Sequence, residues 1–199
     1  MQLPGRDQRH ADTPFRRIAA AVDELAVVLG RYLDKPFALF GHSMGAALAY
    51  ELSRRVTQEF GRAPSHLFVS AHRAPQLPRR KAPLHALSDR DFIAGVRALN
   101  GTPDEVFAHP ELVELLLPML RADFELVETY SESPGPRLSC PVTAMGGNTD
   151  VDIPRPDLEQ WQSTTSGPFE LICFEGGHFY IDSARDSLLR ALHRRLIAG

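Results

Sequence analysis

The sequence predicts an α/β layered domain, on three observations. Predicted helices and strands alternate through the first 71 residues. The strand runs are short and continuously apolar, the pattern of parallel strands buried on both faces. A block of helical periodicity then separates the second strand from the third, so one layered domain carries an insertion.

The first helix is expected to begin near Thr13, a capping residue, with Pro14 in its first turn and Ile18, Val22, Leu25 and Leu29 along one face. Asp34-Lys35-Pro36 breaks that pattern. "FALF" (37–40) is the first strand, "MGAALAYELSRRV" (44–56) the next helix, and "HLFVSA" (66–71) the second strand. A Pro-, Arg- and His-rich loop follows, from 73 to about 87. Three helical patterns come next. One starts at Ser88, a cap with Asp91 three residues on. One starts at Thr102-Pro103-Asp104-Glu105. The third is "HPELVELLLPMLRADFELVETY", interrupted by Pro118. The strand pattern resumes in "CPVTAMGG" (140–147). A short helix at 156–162, the strand "FELICF" (169–174) and a terminal amphipathic helix complete the chain.

With 199 residues, 43% of them hydrophobic, the chain suits a single domain with a substantial core. A net charge of −3 and a pI of about 6.2 give no electrostatic reason to expect nucleic acid as a partner. Cys140 and Cys173 form no Cys-x-x-Cys pair and lie in strand-like runs, so both are expected as buried, reduced thiols of a cytoplasmic protein. No ligand cluster suggests a metal. No apolar stretch reaches membrane-spanning length, and the polar N-terminus lacks the apolar region of a signal peptide.

Gly41-His42-Ser43-Met44-Gly45 sits between an apolar strand and a small-residue helix. It matches the nucleophile elbow, in which a strand turns abruptly into a helix and holds the serine strained, with its hydroxyl exposed. Glycine at 41 and 45 would avoid side-chain collisions. The Met44 N–H, at the start of the helix, would point where an oxyanion forms. His42 would point away from Ser43, packed or hydrogen-bonded.

A nucleophilic serine needs a base, and the base an orienting acid. In α/β-hydrolases the chain order is Ser, acid, His, with each partner in a loop at the C-terminal end of a later strand. Of the eight histidines, only His178 follows a predicted strand, is freed by two glycines, and precedes the last helix. For the acid, the loop after "CPVTAMGG" offers Asp150 and Asp152, and spacing favours neither. Asp157 belongs to the first turn of the following helix.

Taken together, "PGRDQR", "FALFGHSMGA", "HLFVSAHRAPQLP", "LLPMLRADFELVETY", "GGNTD", "TTSGPFEL" and "GGHFY" run in order across the chain. They resemble the type II thioesterases, the editing α/β-hydrolases of polyketide and nonribosomal peptide biosynthesis. The resemblance implies an α/β-hydrolase fold, a mainly parallel sheet flanked by helices, as one domain over 1–199 with a helical lid insertion at about 76–133. It implies a triad of Ser43, Asp150 and His178, the acid falling on Asp150 at the end of a Gly-x-x-Asp turn. It implies a cytoplasmic monomer with no cofactor, whose partner is an acyl or peptidyl carrier protein presenting a phosphopantetheine arm. The implied task is hydrolysis of stalled acyl thioesters.

Family members carry more chain before the Pro-Gly-Arg segment, with a central strand and a His-Ala-Gly-Gly type loop that supplies a second oxyanion N–H. The expectation here is therefore an N-terminally truncated sheet. "FALF" would have an unpaired apolar edge, and loss of one oxyanion donor would lower the rate roughly 10²–10³-fold. Two other readings follow from the same residues: a general serine esterase of small esters, and a catalytically impaired remnant that still binds carrier proteins. Ala71 stands where the family often has glycine.

Overall fold

Four strands form one parallel sheet in the order β1 (Ala38–His42), β2 (His66–Ser70), β3 (Val142–Gly147), β4 (Phe169–Phe174). The structure is a computed structural model that describes residues 2–99, 101 and 104–197. The chain divides into two compact units. The sheet belongs to the unit formed by residues 22–78 and 131–199.

In the sheet unit, burial follows the two-residue period of a strand. Leu67 and Val69 of β2 join Val142 and Ala144 of β3, with Trp161 and Tyr50, on one face. Phe68 and Met145 point the other way and pack with Phe174, Tyr180 and Leu188. All six residues of β3 are buried, as suits an interior strand. β1 and β4 are the end strands, and Phe40 of β1 is 42% exposed. Helix α2 (Met44–Phe60) crosses from β1 to β2 and stops at Gly61, whose φ of 64° is the left-handed conformation that closes helices. Trp161 is fully buried in the 3₁₀ turn Gln160–Thr164. Its indole N–H donates to the His72 carbonyl at 2.8 Å, and Tyr50 meets it edge-on.

The second unit comprises residues 1–21 and 79–130. The helix predicted from Thr13 begins later: α1 is Ile18–Gly30. Residues 13–16 are committed elsewhere. Pro14 packs against Gly5, and Arg16 and Arg17 reach Glu125 at 2.6 and 3.0 Å. Helix α3 (Asp89–Ala98) is capped as expected, the Ser88 hydroxyl accepting the Asp91 N–H. α4 is Asp104–Phe107, and the predicted start at Thr102-Pro103 lies outside the described residues.

α5 (Pro110–Glu128) is not interrupted by Pro118. A proline inside a helix removes one backbone hydrogen bond. Here Leu116, Leu117 and Leu120 line an apolar seam with Phe92, Ile93 and Val96 of α3, and this packing carries the helix through. Acidic residues of α5 tie down the rest of the unit: Asp123 pairs with Arg6, Glu125 with Arg16 and Arg17, and Glu128 with Arg79 and His85.

α6 (Arg155–Glu159), α7 (Tyr180–Ser183) and α8 (Arg185–Ile197) complete the sheet unit. Both cysteines are free. Cys140 is buried, and burial pushes its thiol up to about 11. Cys173 is exposed, contrary to expectation. It sits on an end strand, where an apolar run is not covered on both sides. Among the described residues, no helix is long and apolar enough to cross a membrane.

Candidate active site

The site is assembled at the C-terminal ends of β1, β3 and β4. After His42 the chain reverses into α2 through Ser43, whose φ of 53° and ψ of −121° are strained for a residue with a side chain. Ser43 N–H donates to the Ser70 carbonyl at 2.7 Å, and the Ser43 carbonyl accepts from Ala46 N–H. Glycine is obligatory at 41: a Cβ there would lie 1.9 Å from the Gly45 carbonyl oxygen. At 45 the expectation fails. A Cβ on Gly45 would meet nothing within 4 Å, because the collision is between the side chain at 41 and the backbone at 45. Met44 is the first residue of α2, so its N–H is among the amides left unpaired by the helix and adds to the positive end of the helix dipole.

Gly147 ends β3 and lies against the turn after β4, with Gly177 and Gly176 oxygens 2.2 and 2.3 Å from where its Cβ would be. Backbone bonds join the two turns: Asn148 N–H donates to the Phe174 carbonyl and Thr149 N–H to that of Gly176. The Asn148 side-chain oxygen accepts from Gly176 N–H. Gly176 has φ 124°, a conformation that side chains disfavour. These contacts carry Asp150 and His178 to one place.

His178 Nδ1 lies 2.8 Å from Asp150 Oδ2, and His178 Nε2 lies 3.0 Å from Ser43 Oγ. A carboxylate only accepts, so Nδ1 carries the proton and donates it to Asp150. Nε2 is then the acceptor of the Ser43 hydroxyl. The Asp150 side chain is 2% exposed. Its other oxygen accepts the N–H groups of Asp152 and Ile153 at 3.0 and 3.1 Å. Burial raises the Asp150 carboxyl, but the hydrogen bond and charge of His178 and these two amides outweigh it, and the net shift is below the ordinary value. Of the two acids that spacing left open, Asp150 is the one bonded to His178. Asp152 supplies a backbone amide, and Asp157 stands in the first turn of α6.

His42 is hydrogen-bonded and packed, whereas its partners Ser70 and Tyr180 carried no sequence signal. His42 Nδ1 lies 2.8 Å from Ser70 Oγ, which lies 2.6 Å from Tyr180 Oη. The His42 ring centroid is 5.4 Å from that of His178. Burial, then the charge of His178, push His42 down to about 4. His72, also buried, is likewise pushed down to about 4, chiefly by burial. Among the described residues, no group of three or more His, Cys, Asp or Glu could hold a metal ion.

A model of the thioesterase domain matches residues 1–196. The chain belongs to the thioesterase family. This thioesterase is 40% identical over 199 residues to linear gramicidin dehydrogenase LgrE of Brevibacillus parabrevis, covering 98% of this chain and 76% of the relative. It is 37% identical to thioesterase PikA5 of Streptomyces venezuelae, covering 92% of this chain and 65% of that one. Among solved structures, the type II thioesterase BorB from the borrelidin biosynthetic cluster superposes with a TM-score of 0.89 at 42% identity, covering 98% of this chain and 79% of BorB. The dehydrogenase name is that of the gramicidin relative. The present sequence contains no Gly-x-Gly-x-x-Gly dinucleotide fingerprint. The thioesterase is a serine hydrolase of the type II class found in polyketide and nonribosomal peptide pathways. Its fold is that of the α/β-hydrolase superfamily with helical insertions.

Proposed function

We propose that this thioesterase hydrolyses acyl groups from the phosphopantetheine arm of an acyl or peptidyl carrier protein, with Ser43 as nucleophile, His178 as base and Asp150 as orienting acid. The observation that carries this reading is the unbroken hydrogen-bond chain from Ser43 Oγ through His178 to Asp150, at 3.0 and 2.8 Å. The strained elbow that presents the serine supports it as well.

In the first half-reaction Ser43 Oγ attacks the acyl carbonyl carbon, and its proton passes to His178 Nε2. The Met44 N–H stabilises the oxyanion of the tetrahedral intermediate. The intermediate collapses with cleavage of the carbon–sulfur bond, and His178 returns the proton to the departing thiol. In the second, water gives a proton to His178 and attacks the Ser43 ester. The second intermediate collapses with cleavage of the bond to Ser43 Oγ, which takes that proton back from His178, and the carboxylic acid leaves. Asp150 stays ionised, holds the imidazole tautomer and stabilises the imidazolium. No step changes an oxidation state. The helical segment at about 76–133 is assigned the role of lid, on the resemblance and on the apolar face of α5.

The test uses an acetyl-loaded carrier protein and the same acyl group as a small free ester. Ser43→Ala should lower turnover of the loaded carrier about 10⁴-fold or more. The parent should prefer the carrier-bound group. Parent-like turnover by Ser43→Ala would overturn the nucleophile, and a marked preference for the free ester would overturn the carrier substrate.

A further inference from the structure

Behind the Ser43–His178 pair lies a second line of contacts, all within the sheet unit. Ser70, the last residue of β2, is completely buried and holds three residues of the two turns at once. Its carbonyl accepts the Ser43 N–H at 2.7 Å. Its hydroxyl lies 2.6 Å from Tyr180 Oη and 2.8 Å from His42 Nδ1. Tyr180 is two residues beyond His178 and is also completely buried. His42 is the residue before Ser43, and its ring packs against those of His178, Phe179 and Tyr180 at centroid distances of 5.4, 6.1 and 6.0 Å. One serine is therefore linked to the nucleophile turn by its backbone, and to both turns by its side chain.

We propose that His42, Ser70 and Tyr180 are positioning residues, a brace that sets the separation of Ser43 Oγ and His178 Nε2. The proposal rests on the hydrolytic reading above and adds the groups that keep its geometry. Ser43 and His178 come from loops 135 residues apart, and a 1 Å misplacement of reacting groups can lower a rate about 10²-fold. A cluster serving stability alone would leave no polar atom wanting. Here, among the described residues, His42 Nε2 is buried with no protein hydrogen-bond partner, an arrangement that contributes nothing to fold stability. An apolar residue would fill the same space without that unpaired atom. What histidine adds over an apolar residue is a polar atom at the Nδ1 position, reaching Ser70, and a flat ring against His178. Burial keeps that ring neutral, so it presents no like charge when His178 takes up a proton.

The discriminating pair is His42→Asn and His42→Leu. The asparagine amide occupies the Nδ1 position and can keep the bond to Ser70. Leucine fills space and loses it. Tyr180→Phe deletes the oxygen at the other end and changes little else. With acetyl-loaded carrier protein, His42→Leu and Tyr180→Phe should lower kcat about 10- to 100-fold with KM unchanged, and His42→Asn should recover most of the loss. The brace is overturned if Tyr180→Phe keeps the parent kcat, if Asn and Leu lower kcat equally at matched Tm, or if KM alone moves. Should His42→Leu fail to fold, Tyr180→Phe and Ser70→Ala decide by the same kcat-against-KM split. Ser43→Ala separates the two readings. If it is inactive while His42→Leu and Tyr180→Phe are fully active, only the brace falls. If it turns over like the parent, the hydrolytic reading falls and the brace with it.

Discussion

The two turns that make the site meet the same steric demand in opposite ways. At the end of β1 the left-handed conformation falls on Ser43 itself, a residue with a side chain, and glycine at 41 makes room for the returning backbone. At the end of β4 the positive φ falls on Gly176, and glycine at 147 makes room for the neighbouring turn. The proposed nucleophile is thus strained, whereas the proposed base has its unusual backbone taken up by a glycine two residues away. A strained serine presents its hydroxyl in one fixed direction. A histidine on an unstrained position depends on side-chain partners, Asp150 above all, for its orientation.

Among variants that probe this contrast, Asp150→Asn should have the largest effect. The amide oxygen can still accept from Asp152 and Ile153, so the turn should survive, but the imidazole loses its carboxylate. Turnover of an acyl-loaded carrier should fall about 10⁴-fold with the far-ultraviolet circular dichroism unchanged. The same substitution has a pH signature. Folding lowers the Asp150 carboxyl below its ordinary value, so its stabilisation is present above the unfolded value of about 4 and is lost as pH falls through the lower folded one. The Tm gap between parent and variant should therefore be full at neutral pH and narrow below about pH 4.

Gly41→Ala tests the rigid half of the comparison. A backbone oxygen 1.9 Å from the new Cβ cannot yield without moving α2. Destabilisation of about 4 kcal/mol or more is expected, seen as a fall of about 10 °C or more in Tm or as insoluble protein. Gly176→Ala tests the compliant half. Its neighbours, Ser183 Oγ and Tyr180 Cβ, stand at 3.1 and 3.2 Å, so the backbone conformation dominates. That should cost about 2 kcal/mol, measurable by urea unfolding. The smallest effect is expected at Gly45→Ala. Open space surrounds that position, and alanine is the better helix former. A gain of about 0.5 kcal/mol with unchanged turnover would sharpen the contrast between the two glycines of one motif. A loss comparable to that at Gly41 would break it.

Much of the fold was legible because its strands and main helices are locally coded. The strand-like runs at 37–40, 66–71, 140–147 and 169–174 each coincide with a strand of the sheet to within about two residues, and they and the small-residue start of α2 follow from period and composition. Where tertiary contacts compete with local preference, the reading went astray. Thr13 and Pro14 begin no helix because Pro14 and the following arginines are held by Gly5 and Glu125. Pro118 ends no helix because an apolar seam outweighs one missing bond. Cys173 is exposed because an apolar run does not reveal whether its strand is interior or terminal.

By itself the sequence determined where the elbow lies, that the candidate residues occur in the order serine, acid, histidine, and that His178 stands alone after the last strand. These depend on neighbours a few residues away, which periodicity and glycine placement record directly. Spacing could not separate Asp150 from Asp152, tell a necessary glycine from a spare one, or see that Ser70 lies between His42 and Tyr180. Those outcomes depend on ångström-scale distances between strand ends far apart in the chain. Only the packing of β1 through β4 brings those ends together.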